Sequence, residues 1–184
     1  MKRAFLFSAL LLFAFSGCEK EENPDTSGEA TLTSDRFLEL FLEGSTYSIY
    51  GFSFEQGEVI KYNPAGEGII PDFFILPVTG TGGQPTGALL DSPNQNKSFS
   101  LTAEFSDSLL ALEYFNYYNN IIDSNYVSLA NPLEKNQVWT FRTSANKFGK
   151  ILIKDVKAFV KDTENYAETT FLWEYQPDGS MEFK

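Results

Sequence analysis

Few side chains in this sequence could do chemistry. The residue types that are absent restrict the possible functions more than those that are present. The 184 residues include no histidine and one cysteine, Cys18. Without histidine, Ser-His-Asp and Cys-His catalysis are excluded, and no zinc or haem site can use a histidine ligand. Any chemistry must therefore come from hydroxyl groups, carboxylates, lysines, tyrosines or this one thiol.

Three short stretches contain the residue types of known sites without the setting that those sites need. Ser144 and Lys147 have the Ser-x-x-Lys spacing of penicillin-binding enzymes, but that motif requires a helix and here we predict a turn between strands. The oxygen-rich segment 91–96 lacks the spacing, the Gly and the Glu of an EF-hand loop. The Gly-rich segment 79–87 lacks the Gly-Lys-Ser/Thr ending of a phosphate-binding loop. We interpret both segments as turns.

Cys18 lies directly after a secretory signal. Lys2 and Arg3 precede the apolar run 4–15, which the small residues 16–17 connect to the cysteine. The apolar run is shorter than the ~20 residues of a membrane-spanning helix. An unpaired thiol is a liability in an oxidising compartment, which argues against an incidental free cysteine at this position.

This arrangement resembles the lipobox of bacterial lipoproteins, a family that usually has Leu where this chain has Phe15. The resemblance implies cleavage before Cys18, a diacylglycerol on its sulfur and an acyl chain such as palmitate on its amine. Two or three acyl chains, at ~0.8 kcal/mol per buried methylene, anchor a protein stably. We therefore expect a signal peptide over 1–17 and membrane attachment through Cys18, which is then not a nucleophile.

The charge pattern after the cysteine bears on the location of the protein. The segment 19–22, Glu-Lys-Glu-Glu, resembles the acidic export signal of surface lipoproteins in Bacteroidetes-type bacteria, which implies the outer membrane and its outer leaflet. The alternative is the solvated start of a tether. Loss of Lys2 and Arg3 leaves 12 basic residues against 25 acidic ones, a net charge near −13. Such a charge disfavours nucleic acid as a partner.

Periodicity predicts a mainly β, antiparallel fold with one helix. We expect a flexible tether over 18–34, where polar and small residues dominate, followed by a single β-rich domain over 35–184. Strand patterns and turn residues place strands in the following segments: 45–62 as a hairpin, 72–80, 97–105, 137–143, 148–160, 168–175, and a short closing strand after the turn at 176–179.

The helix is predicted over 106–120. Ser106 is expected to cap its start, and Asp107 favours the positive end of the helix dipole. Aromatic and aliphatic residues at helical spacing predict a packed stripe, with a ligand wall as the alternative: Leu110, Tyr114, Tyr117 and Tyr118.

The last 48 residues resemble the HmuY-like family of haem-binding surface lipoproteins. The stretches that carry the resemblance are VWTFRTSANKFGKILIKDVKAF and ETTFLWEYQPDGSMEF. The matching positions are Thr143, Lys147, Phe148, Lys150, Ile151, Ile153, Phe171, Trp173, Tyr175, Gln176, Asp178, Gly179 and Ser180. The resemblance implies a β-rich fold, haem capture and an outer-membrane receptor or transporter as partner.

The haem ligands of that family, a histidine pair or methionine, find no matching residue here. Met181 is the one methionine outside the signal peptide, and we expect it in sheet structure. Haem can also be held by tyrosinate or by apolar stacking. The tyrosines that we consider as ligands are Tyr114, Tyr117, Tyr118 and Tyr126.

Three hypotheses follow for the function. The first is capture of haem or a porphyrin without histidine ligation. The second is a binding module for a glycan, a peptide or a partner protein. The third is a glycosidase that uses two carboxylates, which needs no sequence motif, although no pair stands out. We expect a binding protein and not an enzyme.

Overall fold

The computed structural model describes residues 25–41, 44–93, 96–122 and 125–183. These residues form eleven strands and one helix, which confirms the mainly β fold with a single helix. The strands are β1 (Ser27–Thr33), β2 (Arg36–Phe41), β3 (Gly44–Ser53), β4 (Glu58–Tyr62), β5 (Phe74–Thr79), β6 (Pro85–Asp91), β7 (Phe99–Glu104), β8 (Leu129–Ala130), β9 (Gln137–Arg142), β10 (Phe148–Lys161) and β11 (Glu164–Gln176). The helix is α1 (Ser108–Tyr117).

The strands form three antiparallel sheets. The large sheet has the order β1-β11-β10-β9-β7, and two three-stranded sheets have the orders β2-β3-β4 and β5-β6-β8. In the large sheet Ile151 lies between Trp173 on β11 and Trp139 on β9. The consecutive strands β9, β10 and β11 are antiparallel neighbours, and antiparallel neighbours need only short turns between them.

Both small sheets pack against one face of the large sheet and enclose an aromatic core. Phe52 lies 5.2 Å from Phe54 and 5.2 Å from Phe171, measured between ring centroids. Phe54 also packs against Gly149 of β10, where a Cβ atom would lie 2.3 Å from the phenyl ring. A larger residue at position 149 would therefore displace Phe54 from the core.

Helix α1 packs on the opposite face of the large sheet. Ala111 and Phe115 contact Val138 and Leu152 in a separate apolar cluster. Two members of the predicted stripe lie elsewhere: Leu110 is 54% exposed and Tyr117 is 77% exposed. The small Ala111 and the apolar Phe115, four residues apart, permit closer contact with the sheet than a row of tyrosines would.

The cap at the start of α1 is Asp107 and not Ser106. Its Oδ1 accepts the backbone N–H groups of Leu109 (2.8 Å) and Leu110 (3.1 Å). A carboxylate satisfies two of the unpaired N–H groups and also interacts favourably with the helix dipole. The helix is accordingly shorter at both ends than the predicted 106–120.

Lys150 caps the C-terminal end of α1 from a buried position. The side chain is fully buried, and its Nζ donates to the carbonyls of Phe115 (2.9 Å) and Tyr118 (2.9 Å). Nζ also lies 2.8 Å from a carboxylate oxygen of Glu174. The last carbonyls of a helix have no partner within the helix, and here the ammonium group supplies one.

The predicted tether and the predicted turn at 79–87 both contain residues that form strands. Residues 27–33 form β1, which pairs with β11 in the register Thr31↔Thr170 and buries Leu32 completely. Pro85 begins β6, so the turn is confined to 80–84. The expected closing strand is an isolated bridge between Asn120 and Glu182.

Leu32 is the one buried side chain among the seven residues of β1, which leaves little apolar pattern in the sequence of this strand. The β-rich domain therefore includes Ser27, and the predicted boundaries, a tether to residue 34 and a domain from residue 35, are wrong. Among the described residues no helix has the length and apolar character needed to span a membrane.

Candidate functional site

Two of the tyrosines proposed as ligands are packing residues. The rings of Tyr114 and Tyr118 stack with centroids 5.6 Å apart and an interplanar angle of 16°. Tyr118 is buried in an apolar cluster with Ile121 and Phe183, and its hydroxyl lies 3.5 Å from Thr140 Oγ1. Both side chains thus fix the end of α1 against the large sheet.

The other three candidates are dispersed. Tyr117 is 77% exposed on the solvent side of α1. Tyr126 lies under the guanidinium group of Arg142, whose Cζ is 4.7 Å from the ring centroid. Met181 is 52% exposed, and its carbonyl accepts the N–H of Ile121 at 2.8 Å. The structure thus brings Tyr114 and Tyr118 together and places the others apart. Cys18 lies outside the described residues.

A groove of about 710 Å³ lies between the two small sheets, and none of the five candidates lines it. We call it the inter-sheet groove. Its walls come from β2, β3 and β5, and the start of β11 closes one end. Its volume lies within the ~300–1,000 Å³ typical of ligand sites.

The groove exists because β3 meets the residue just before β5 at a single bridge, beyond which β3 and β5 separate. Phe52 pairs with Phe73, with the N–H of Phe52 donating to the Phe73 carbonyl at 2.8 Å. Next to this bridge, a Cβ atom on Gly51 would lie 2.4 Å from Pro71. Glycine at position 51 therefore permits the close approach from which the two sheets diverge.

One side of the groove carries aromatic and aliphatic residues. Tyr47 is 54% exposed, and Tyr50 is held by an edge-to-face contact with Phe37, with centroids 4.9 Å apart. The other apolar lining residues are Ile49, Pro64, Ile75, Leu76 and Pro77. Tyrosine rings give large contact areas and a hydroxyl at low cost in side-chain entropy.

The polar lining residues are Ser34, Arg36, Thr79, Glu164 and Asn165. Asn165 is held in place because its Nδ2 donates to Thr79 Oγ1 (3.1 Å) and to the carbonyl of Gly83 (3.0 Å). Its Oδ1 is then the atom able to accept a hydrogen bond from a ligand. The groove therefore offers donors, acceptors and aromatic faces together.

A titratable group, Asp72, lies next to the Phe52–Phe73 bridge from which the two sheets diverge. The carboxylate of Asp72 accepts the N–H of Phe54 at 2.8 Å. Burial raises the pKa of Asp72 to about 6, and the nearby Glu55 adds to this rise, while the Phe54 N–H and Lys147 act in the opposite direction. This carboxyl group changes charge near neutral pH without lining the groove.

The arrangement is suited to binding by stacking and hydrogen bonding. Glu164 is the one carboxylate that lines the groove, whereas glycoside hydrolysis uses a pair. Within the described ranges, no three residues of the types His, Cys, Asp and Glu are grouped so as to hold a metal ion. Ser144 lies in the turn between β9 and β10, as predicted.

Sequence reasoning missed the groove because no local motif encodes it. Arg36 and Tyr47 belong to the consecutive strands β2 and β3, whereas Asn165 belongs to β11, far along the sequence. The signal that could have indicated it is the presence of aromatic residues on both faces of 45–54, more than one core-facing side requires.

Comparison with known proteins gave no assignment: no family model, curated protein or solved structure matches this chain.

Proposed function

We propose that this protein is a lipid-anchored binding protein of the outer membrane that captures a ligand at the cell surface and catalyses no reaction. Cys18 is the attachment point, and the inter-sheet groove is the binding site. The observation that carries the proposal is the groove itself, where Tyr47 and Tyr50 lie beside Arg36 and Asn165.

A glycan is the ligand class that the groove favours. The apolar face of a sugar ring stacks on an aromatic ring, and Tyr47 offers such a face because more than half of it is exposed. Hydroxyl groups of the sugar both donate and accept hydrogen bonds. Arg36 supplies donors, and Glu164 and Asn165 supply acceptors.

The test is a glycan array probed with the full chain carrying Cys18→Ser, followed by titration of each positive glycan. Tyr47→Ala is expected to weaken binding at least tenfold, and Arg36→Gln by about tenfold to a hundredfold, since a hydrogen bond to a charged group contributes roughly 1.5–3 kcal/mol. Tyr117→Ala is the matched control, because that tyrosine is exposed on α1 and outside the groove. Equal losses for Tyr47→Ala and Tyr117→Ala would contradict the assignment of the site.

Haem or a porphyrin is the second candidate, and the arginine and the tyrosines of the groove favour it. Arg36 can pair with a propionate group, and Tyr47 and Tyr50 are the tyrosines in the groove that could approach the iron. Titration with haemin is expected to shift the Soret band saturably, and Tyr47→Phe to alter its position. A shift that survives this change but is lost in the combined Tyr114→Phe, Tyr117→Phe and Tyr118→Phe variant would move the site to α1.

The anchor has its own test. Cells that express the chain and are grown with labelled palmitate are expected to incorporate the label, and Cys18→Ser to abolish incorporation and release the protein from membranes. Protease treatment of intact cells distinguishes the outer leaflet from the inner one. Label retained in Cys18→Ser would overturn lipidation at this residue.

The proposed partner of this binding protein is an outer-membrane receptor or transporter, which receives the ligand from it.

A further inference from the structure

A second cavity, independent of the inter-sheet groove, lies between α1 and the outer face of the large sheet. We call it the helix slot. It has a volume of about 280 Å³, and its apolar walls are Leu109 and Leu112 of α1 and Leu152 and Leu172 of the sheet. Leu152 and Leu172 are direct neighbours in the pairing of β10 with β11.

The slot is open because α1 contacts the sheet along a narrow line. Ala111 and Phe115 make the contact, whereas Leu109 is 76% exposed and Leu112 is 37% exposed. Contiguous exposed apolar surface beside a cavity is typical of a site that binds an apolar group.

Two lysines lie at the slot, Lys135 and Lys154. Lys154 forms an ion pair with Glu29 at 2.6 Å, while Lys135 forms no ion pair with any residue that the structure describes. Acidic residues outnumber basic ones 25 to 14 in the whole chain. Although the chain as a whole is acidic, the slot therefore carries an ammonium group without an ion-pair partner. Such a group favours a ligand with an anionic head group.

Asn136 adds a fixed polar group to the slot. It is 8% exposed, and its backbone has φ 68°, a conformation that asparagine adopts more readily than most residues. Ser108 Oγ donates to Asn136 Oδ1 at 2.9 Å. The two hydrogens of Nδ2 are then what this buried amide can donate to a ligand.

The backbone holds this amide in position. The N–H of Asn136 donates to the carbonyl of Ile153 at 2.8 Å, and its carbonyl accepts the N–H of Phe105 at 3.3 Å. The Asn136 amide and the Lys135 ammonium group both line the slot and together offer donors to a carboxylate, since charge-assisted hydrogen bonds are the strong ones.

We propose that the helix slot binds a free, single-chain fatty acid, with its acyl chain between the four leucines and its carboxylate at Lys135 and Asn136. A methylene group occupies roughly the ~30 Å³ of a water molecule in the liquid, so the slot holds on the order of nine carbons. Decanoate is accordingly the probe that matches the cavity. A phospholipid, with two chains and a larger head group, exceeds it.

The experiment is calorimetric titration of decanoate, below its micelle concentration, into the full chain carrying Cys18→Ser. Saturable binding of one decanoate is expected. Leu112→Asn is expected to weaken it at least tenfold, whereas Leu110→Asn, an equally polar change on the same helix but outside the slot, should leave it unchanged. Absence of saturable binding, or equal losses for the two variants, would overturn the proposal.

The head group is tested separately. Lys135→Gln is expected to weaken decanoate binding about threefold to tenfold and to leave binding of decanol unchanged. Equal effects on both ligands would contradict the placement of the carboxylate. Lys135 is exposed, so this variant is expected to fold, and far-UV circular dichroism of every variant checks that it does. Tyr47→Ala should not change decanoate binding, which separates this site from the inter-sheet groove.

Discussion

Lys150 illustrates at the scale of one residue how a charged side chain can occupy a core position. Lys150→Ala removes the donor from two helix carbonyls and leaves Glu174 without its partner. We expect the free energy of unfolding to fall by about 3–5 kcal/mol. Lys154→Ala is the control, because its pair with Glu29 is exposed and contributes at most about 1 kcal/mol. Urea denaturation measures both, and similar losses would contradict the structural role of Lys150.

Asp72 gives the protein a pH dependence with a defined sign. The pKa of its carboxyl group is raised in the fold to about 6, from the ordinary value of 3.8 that applies to the unfolded chain. The folded state therefore binds the proton more tightly than the unfolded state. The contribution of this group to stability rises as the pH falls through 6 and becomes constant below about 3.8.

Asp72→Asn replaces the ionised carboxylate by a neutral group that can still accept the N–H of Phe54. At pH 7.5 we expect the variant to be more stable than the native protein by about 1–3 kcal/mol, since one pKa unit corresponds to ~1.4 kcal/mol. Below pH 3.8, where the Asp72 carboxyl group becomes protonated in both states, the difference should approach zero. Denaturation at several pH values, with Asp162→Asn in the exposed β10–β11 turn as control, measures the effect. A variant that is less stable at pH 7.5 would contradict it.

At the scale of the element, α1 tests which residue caps a helix when two candidates are adjacent. Asp107→Ala is expected to lower stability by about 1 kcal/mol, because its Oδ1 accepts two backbone N–H groups. Ser106→Ala should change stability by less than about 0.5 kcal/mol. Thermal denaturation of the two variants compares them directly. A larger loss of stability for Ser106→Ala than for Asp107→Ala would identify Ser106 as the cap.

The strand β1 tests the domain boundary at the scale of the whole molecule. A chain that begins at residue 35, where the sequence places the start of the domain, lacks β1, exposes the edge of β11 and loses the buried Leu32. We expect it to aggregate, because a free strand edge pairs with other chains. A chain that begins at residue 25 should remain soluble and folded. Size-exclusion chromatography and near-UV circular dichroism report the difference, and a monomeric, folded chain from residue 35 would contradict this role of β1.

Most elements with a strong local pattern were predicted, whereas the strands β1, β2, β6 and β8 were missed. The hairpin over 45–62 and the strands β9, β10 and β11 follow the alternation of their residues closely. β1 and β6 are rich in Gly, Ser, Thr or Pro, whose turn preference outweighed their strand pattern. In α1 the spacing indicated a helix, but not which face of it the sheet would cover.

The sequence by itself determined the chemistry that this protein lacks, the β-rich class of its fold and its single helix, because composition and periodicity are local properties. Only the tertiary structure decided where ligands could bind. The inter-sheet groove depends on two sheets that separate beyond the Phe52–Phe73 bridge, and the helix slot depends on how α1 lies on β10 and β11. Such cavities arise between elements that are distant in the sequence, and their positions follow from packing rather than from any motif.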